Sequence, residues 1–121
     1  MKILKVGIMP RENFQKRLMD IASGQLKPKK NEPKVWFSSI KSLSEVLNEN
    51  NLRLLQIINE KKPASIKELA CITHRQPGNL SRTLKTMERY GIVEFKKGGK
   101  NSRPITKALE FNIEYNALLA C

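Results

Sequence analysis

The chain has 121 residues, 40% of them hydrophobic, which suits one ordinary folded core without disulfide or metal support. Its 23 Lys and Arg against 11 Asp and Glu give a formal net charge of +12. No apolar run approaches the roughly 18 residues of a membrane-spanning helix, and the N-terminus lacks the features of a signal peptide. These features argue against membrane and secreted classes, so we expect a cytoplasmic protein.

The positive charge is unevenly distributed. Residues 71–107 hold nine Lys or Arg and two Glu, a net charge of +7. Clustering of this kind indicates a polyanionic partner, although a basic stretch can also be an ordinary solvated face. Cys71 and Cys121 are too few for a disulfide framework or a zinc site. We therefore expect no metal or cofactor, with Cys71 buried in an apolar helical pattern.

The first third of the chain predicts a strand, a helix and a linker. KILKVGIM alternates apolar and other residues, as a strand does. RENFQKRLMDIASG places Phe14, Leu18 and Ile21 on one helical face, and QLKPKKNEPK reads as an exposed basic linker. Residues 1–33 are therefore predicted to be a dimerisation or partner-binding arm, and residues 34–121 a separate domain.

Three helical segments follow the linker. SSIKSLSEVLNENN carries Ile40, Leu43 and Val46 on one face, and LRLLQIINEKK has the apolar density of a buried helix. SIKELACITH opens with the S-x-x-E pattern of a capping box, which predicts a helix start at Ser65.

The next segment, NLSRTLKTMERYG, predicts an amphipathic helix with two opposed faces. At about 100° per residue, its three main apolar side chains fall within an arc of about 60°. Three cations lie nearly opposite, and Gly91 suits the left-handed C-cap. The apolar side chains are Leu80, Leu84 and Met87, and the cations are Arg82, Lys85 and Arg89.

Beyond Gly91 the pattern changes to strands. IVEFKK predicts a short strand, GGKNS a turn, and RPITKALEFNIEY one longer extended stretch with period-two alternation. Helix, capped helix, short break, amphipathic helix and basic hairpin together predict a winged helix-turn-helix. The expected fold is α+β, with an N-terminal strand–helix extension and a C-terminal β-hairpin.

Roles follow from how such a module meets DNA. The first residues of the inserted helix reach base edges in the major groove, where Arg suits guanine and Asn or Gln suits adenine. Gly78 would let the backbone approach closely, and hairpin cations would meet the backbone or the minor groove. The base-edge candidates are Arg75, Gln76, Asn79, Ser81 and Arg82, and the phosphate and wing candidates are Lys85, Arg89, Lys96, Lys97, Lys100 and Arg103.

The stretch SIKELACITHRQPGNLSRTLKTMERYGIVEFKKGGKNSRP resembles the winged helix-turn-helix core of the MarR-like transcriptional regulators. The whole chain is similar to small bacterial and archaeal regulators, some of them encoded beside toxin-like genes. The resemblance implies double-stranded DNA binding by a homodimer, with repression or autoregulation as the outcome. By position it implies DNA reading by Gln76, Asn79, Ser81, Arg82 and Lys85, and a wing with Lys100 and Arg103.

The chain lacks the long C-terminal dimerisation helix of larger MarR proteins. The terminal strands KILKVGIM and ALEFNIEY are then the expected dimer contacts, because an exposed strand edge invites a second chain.

Two other functions remain open at this point. One is an antitoxin-type protein, whose N-terminal strand, helix and linker would order around a toxin-like partner. The other is an RNA-binding winged helix. An enzyme is the least supported class, because the sequence has no Gly-rich phosphate loop, metal-ligand cluster or nucleophile–base pair.

Overall fold

A computed structural model describes residues 2–98 and 101–116, and their helices and strands confirm the α+β class. The described residues form two compact units. Residues 2–3, 46–98 and 101–110 make the helix–hairpin unit, and residues 4–45 and 111–116 make the sheet unit. Within the described ranges, no helix has the length and apolar character to cross a bilayer. The elements are β1 Lys2–Ile8, α1 Arg11–Ala22, β2 Val35–Phe37, α2 Ile40–Val46, α3 Glu49–Lys61, α4 Ile66–Thr73, α5 Pro77–Arg89, β3 Val93–Gly98, β4 Asn101–Thr106 and β5 Ala108–Tyr115.

A three-stranded sheet of order β2-β1-β5 organises the sheet unit. β1 confirms the predicted first strand, whereas β2 was missed. The two strands are parallel, with Ile8 opposite Phe37, and α1 supplies the crossover that parallel strands require. The division expected at residues 33 and 34 differs from these units, because Val35–Phe37 pairs with the N-terminal strand instead of opening the second domain.

The helix α1 has no buried residue, and the predicted apolar face is wrong at Leu18, which is half-exposed. A polar contact links α1 to the linker instead. The guanidinium of Arg17 lies 5.4 Å from the centre of the Trp36 ring and pairs with Glu32. This hydrogen bond holds the pKa of the Glu32 carboxyl below its ordinary value.

Hydrogen bonds of two asparagines define the boundary between α2 and α3. This boundary lies earlier in the chain than the sequence pattern predicts. The side chain of Asn48 caps α3 by accepting the Asn51 N–H at 2.9 Å. The Asn51 amide in turn donates to the Val46 carbonyl at 3.0 Å, satisfying an acceptor at the end of α2. Leu43 and Val46 are buried as predicted, whereas Ile40 is exposed.

In the helix–hairpin unit, α3 packs against β4, and α5 packs against α4 and β3. The Thr106 hydroxyl donates to the Leu55 carbonyl at 3.0 Å, a buried bond that joins β4 to α3. Apolar side chains from every helix of the unit fill one core. At most 2% exposed are Leu54, Leu55, Ile58, Leu69, Leu80, Leu84, Met87, Ile92 and Val93.

Side-chain hydrogen bonds define the start of α4. The Ser65 side chain accepts the Glu68 N–H at 3.1 Å, and the Glu68 carboxylate accepts the Ala64 N–H at 3.2 Å. The predicted capping box is thus confirmed, with its return bond one residue earlier than usual.

The prediction that Cys71 is buried is wrong, because Leu69 and Ala70 face the core and Cys71 is exposed.

Gly91 ends α5 as predicted. Its φ is +75°, and its N–H donates to the Glu88 carbonyl at 3.0 Å. The next N–H, of Ile92, reaches back to the Met87 carbonyl at 2.9 Å. These two bonds form a Schellman motif, with buried Ile92 and Met87 as its apolar pair.

The predicted hairpin is present as the antiparallel pair β3–β4. The prediction of one long strand after it is wrong, because β4 and β5 belong to different sheets. The chain changes sheet at Lys107, whose N–H donates to the Ile92 carbonyl at 2.9 Å. The alternating apolar residues of β5 are not buried, since Leu109, Ile113 and Tyr115 are 38–49% exposed.

Candidate nucleic-acid interface

The helix α5 has one buried and one exposed face. Leu80, Leu84 and Met87 are fully buried, which confirms the predicted apolar stripe. Opposite them Arg82, Lys85 and Arg89 are all exposed, and we call these three residues the cationic ridge. The packing of α5 therefore forces its positive side chains outward.

Hydrogen bonds along α5 restrain the ridge. The Arg82 guanidinium donates to the Asn79 side-chain oxygen at 2.7 Å. Thr86 donates to the Arg82 carbonyl at 3.0 Å and accepts a longer bond of 3.4 Å from Arg89. A guanidinium has five N–H donors, so Arg82 keeps most of its hydrogen-bonding capacity while Asn79 holds its position. Asn79 and Arg82, two of the five base-edge candidates, are therefore joined by a hydrogen bond.

The start of α5 presents small and polar groups to solvent. Gln76 occupies the N-cap position without a capping bond from its side chain, and Pro77 takes the first turn. Gly78 is exposed, and a Cβ added there would meet nothing within 4 Å. Ser81 is partly buried. Gln76, Gly78 and Asn79 thus lie on an open surface together with Arg82.

Arg75 lies differently from the other candidates. It is partly buried, and its guanidinium donates to the Asn50 carbonyl of α3 at 3.0 Å. It lines a groove of about 380 Å³ that also contains Arg53. Arg53 was not among the predicted site residues, because its proximity to Arg75 arises from a contact between α3 and the α4–α5 turn that no local pattern records.

The hairpin adds exposed cations. Lys96 stands directly opposite Arg103 in the register, and Lys97 stands opposite Ser102. Lys96, Lys97 and Arg103 are exposed, and like charges directly opposite each other destabilise a strand pair. The remaining wing candidate, Lys100, lies outside the described residues.

Few of these positive charges are neutralised within the chain. Over residues 2–98 and 101–116 two ion pairs form, Arg17–Glu32 and Lys107–Glu94. Neither involves the cationic ridge or the exposed hairpin cations Lys96, Lys97 and Arg103. A surface of this kind carries a positive potential that attracts anionic partners and depends strongly on salt.

Comparison with known protein families identifies the family of the chain. No curated protein and no solved structure matches the chain. The sequence model of the HVO_A0114 family matches residues 46–113, which cover more than half of the chain and include α3, α4, α5 and the hairpin. The protein therefore belongs to the HVO_A0114 family.

Proposed function

We propose that the helix–hairpin unit is a winged helix-turn-helix domain that binds double-stranded DNA. The observation that carries the proposal is the division of α5 into a buried apolar face and an exposed, unneutralised cationic ridge. The order α3, α4, α5 and hairpin supports it, and so does the resemblance to MarR-like regulators. In this reading α4, the turn and α5 are the helix-turn-helix, and β3 with β4 is the wing.

The dimensions and chemistry of α5 suit this role. A helix with its side chains is about 10–12 Å across, and the major groove of B-DNA is about 12 Å wide. Asn79 and Arg82, near the start of α5, would read base edges, while Lys85 and Arg89 meet phosphates. Lys96 and Arg103, which repel each other in the free hairpin, gain an anionic partner when the wing meets the backbone.

The biological output we propose is repression or autoregulation by a homodimer that occludes a promoter. The expected role of the terminal strands in dimerisation needs one correction. β1 is the central strand, between β2 and β5, and it pairs with β2 over Val6–Ile8. The outer edge of β5 is the remaining candidate for a second copy.

The antitoxin alternative gains no specific support. It required the N-terminal segment to order around a partner, whereas Lys2–Ile8 and Arg11–Ala22 form a strand and a helix of the chain itself. The RNA-binding alternative would use the same positive surface. The duplex RNA control in the experiment below distinguishes it from binding of duplex DNA.

Selection of bound duplexes from a random DNA pool, followed by a footprint, tests the function. We expect an enriched sequence with two-fold symmetry, protected over two half-sites about one helical turn apart or a multiple of it. Affinity should fall steeply with salt. The matched control is duplex RNA of the enriched sequence. No enrichment, salt-independent affinity or equal binding of the RNA would overturn the proposal.

A further inference from the structure

A second cationic feature combines Arg53 of α3, which was not predicted to bind DNA, with the candidate Arg75 of the α4–α5 turn. The groove that holds Arg53 and Arg75 is also lined by polar Asn50 and Thr73 and by apolar residues. Arg75 is fixed by its bond to the Asn50 carbonyl. Arg53 is exposed on the same helix, three residues after Asn50, and side chains at i and i+3 are neighbours on a helical surface.

The groove has the electrostatics of an anion site. Its lining residues are Asn50, Arg53, Leu54, Ile57, Ile72, Thr73 and Arg75, and none of them is acidic. Neither arginine forms an ion pair within the described part of the chain. Two guanidinium groups at one groove repel each other unless an anion lies between them, and their planar donor forks suit phosphate oxygens.

We propose that Arg53 and Arg75 together bind one phosphodiester group of the DNA backbone. The inference rests on the proposed function and extends it, because it adds a contact on α3 beyond α5 and the wing. It also reassigns Arg75 from base reading to backbone binding. Since Arg75 is two residues before the first residue of α5, a phosphate held here would set the position at which the helix enters the major groove.

The test compares salt titrations of duplex binding for Arg53→Ala and a matched control, Lys61→Ala. Lys61 is an exposed cation at the far end of the same helix and does not line the groove. For Arg53→Ala we expect weaker binding on cognate and scrambled duplexes alike, with a log–log salt slope shallower by about one unit. The control should keep the slope of the natural protein.

The double variant Arg53→Ala with Arg75→Gln should lose less affinity than the sum of the two single losses and no more than about one unit of slope, because both arginines contact one phosphate. Additive losses and a slope change of about two units would overturn the shared phosphate. Thermal unfolding of each variant shows whether a loss of binding reflects a loss of fold. An unchanged slope in folded Arg53→Ala would overturn this inference while leaving DNA binding by α5 standing. An absence of salt-dependent duplex binding in the natural protein would overturn both.

Discussion

At the scale of single residues, the bond between Asn79 and Arg82 makes the two side chains interdependent. We expect Arg82→Ala to cost about 1–3 kcal/mol at a selected site. Because Asn79 positions Arg82, the double variant with Asn79→Ala should lose less than the sum of the two single losses, with a coupling energy of at least about 0.5 kcal/mol. Dissociation constants of the four proteins measure this term, and additive losses would show that the pair does not act together.

A glycine in α5 allows stability and binding to be separated. An added Cβ at Gly78 meets nothing in the free protein, and alanine is favoured over glycine in helices by roughly 0.5–1 kcal/mol. Gly78→Ala should therefore leave the free energy of unfolding unchanged or raise it, while weakening DNA binding if the backbone approaches the duplex closely. Denaturant titration and binding assays on the same variant check both parts. Binding at full strength would remove Gly78 from the interface.

Gly7 provides the opposite case. Its added Cβ would lie 2.4 Å from a ring carbon of Trp36, so the indole or the strand must move. We expect Gly7→Ala to lower the free energy of unfolding by about 1–3 kcal/mol, as overpacking of a tight core does. Chemical denaturation against the natural protein measures the change, and no loss of stability would mean that Trp36 shifts freely.

At the scale of elements, repulsion between Lys96 and the opposite Arg103 should lower the stability of the free hairpin. Replacing Lys96 with Glu places an acid opposite Arg103, and a favourable cross-strand pair contributes about 0.2–1 kcal/mol. Lys96→Glu should thus stabilise the free protein slightly and weaken duplex binding strongly. Lys97→Glu faces Ser102 and serves as the control, since it removes the same charge without gaining a cross-strand partner. A Lys96 variant that binds as well as the natural protein would exclude Lys96 from the wing contact.

Elements with local signals were predictable from the sequence. The buried stripe of α5, its glycine end and the capped start of α4 depend on residues within one or two helical turns. Several of the errors, however, involve distant residues. β2 is stabilised by pairing with β1, which lies much earlier in the chain. The change of sheet at Lys107 depends on a hydrogen bond to the carbonyl of Ile92. The contact between Arg75 and Asn50 was missed for the same reason, because Asn50 is 25 residues away.

At the scale of the whole molecule, the two edges of the three-stranded sheet differ. β2 has three residues, and short edge strands resist pairing with other chains. β5 has eight residues with no Lys or Pro among them, and it exposes Ile113 and Tyr115. Its two glutamates also complement a chain whose net charge is +12. These features favour a second copy of the chain at the β5 edge.

We expect the natural protein to sediment as a dimer and Ile113→Glu to sediment as a monomer. Met19→Glu is the matched control, because Met19 is 71% exposed on α1 and receives the same change from an apolar to an acidic side chain. Analytical ultracentrifugation over a range of concentrations distinguishes the species. A monomeric natural protein would contradict β5-mediated dimerisation, and loss of the dimer in the Met19 variant would move the interface to α1.

The small number of ion pairs among residues 2–98 and 101–116 also affects the lifetime of each copy of the protein. Mutual repulsion among uncompensated cations lowers the stability of the free chain, whereas a bound polyanion stabilises the folded state by mass action. Under the proposed function, copies bound to DNA would open less often than unbound copies, and proteases act on opened chains. Proteases would then degrade unbound copies first. The amount of the protein would stay close to the number of DNA sites that it occupies.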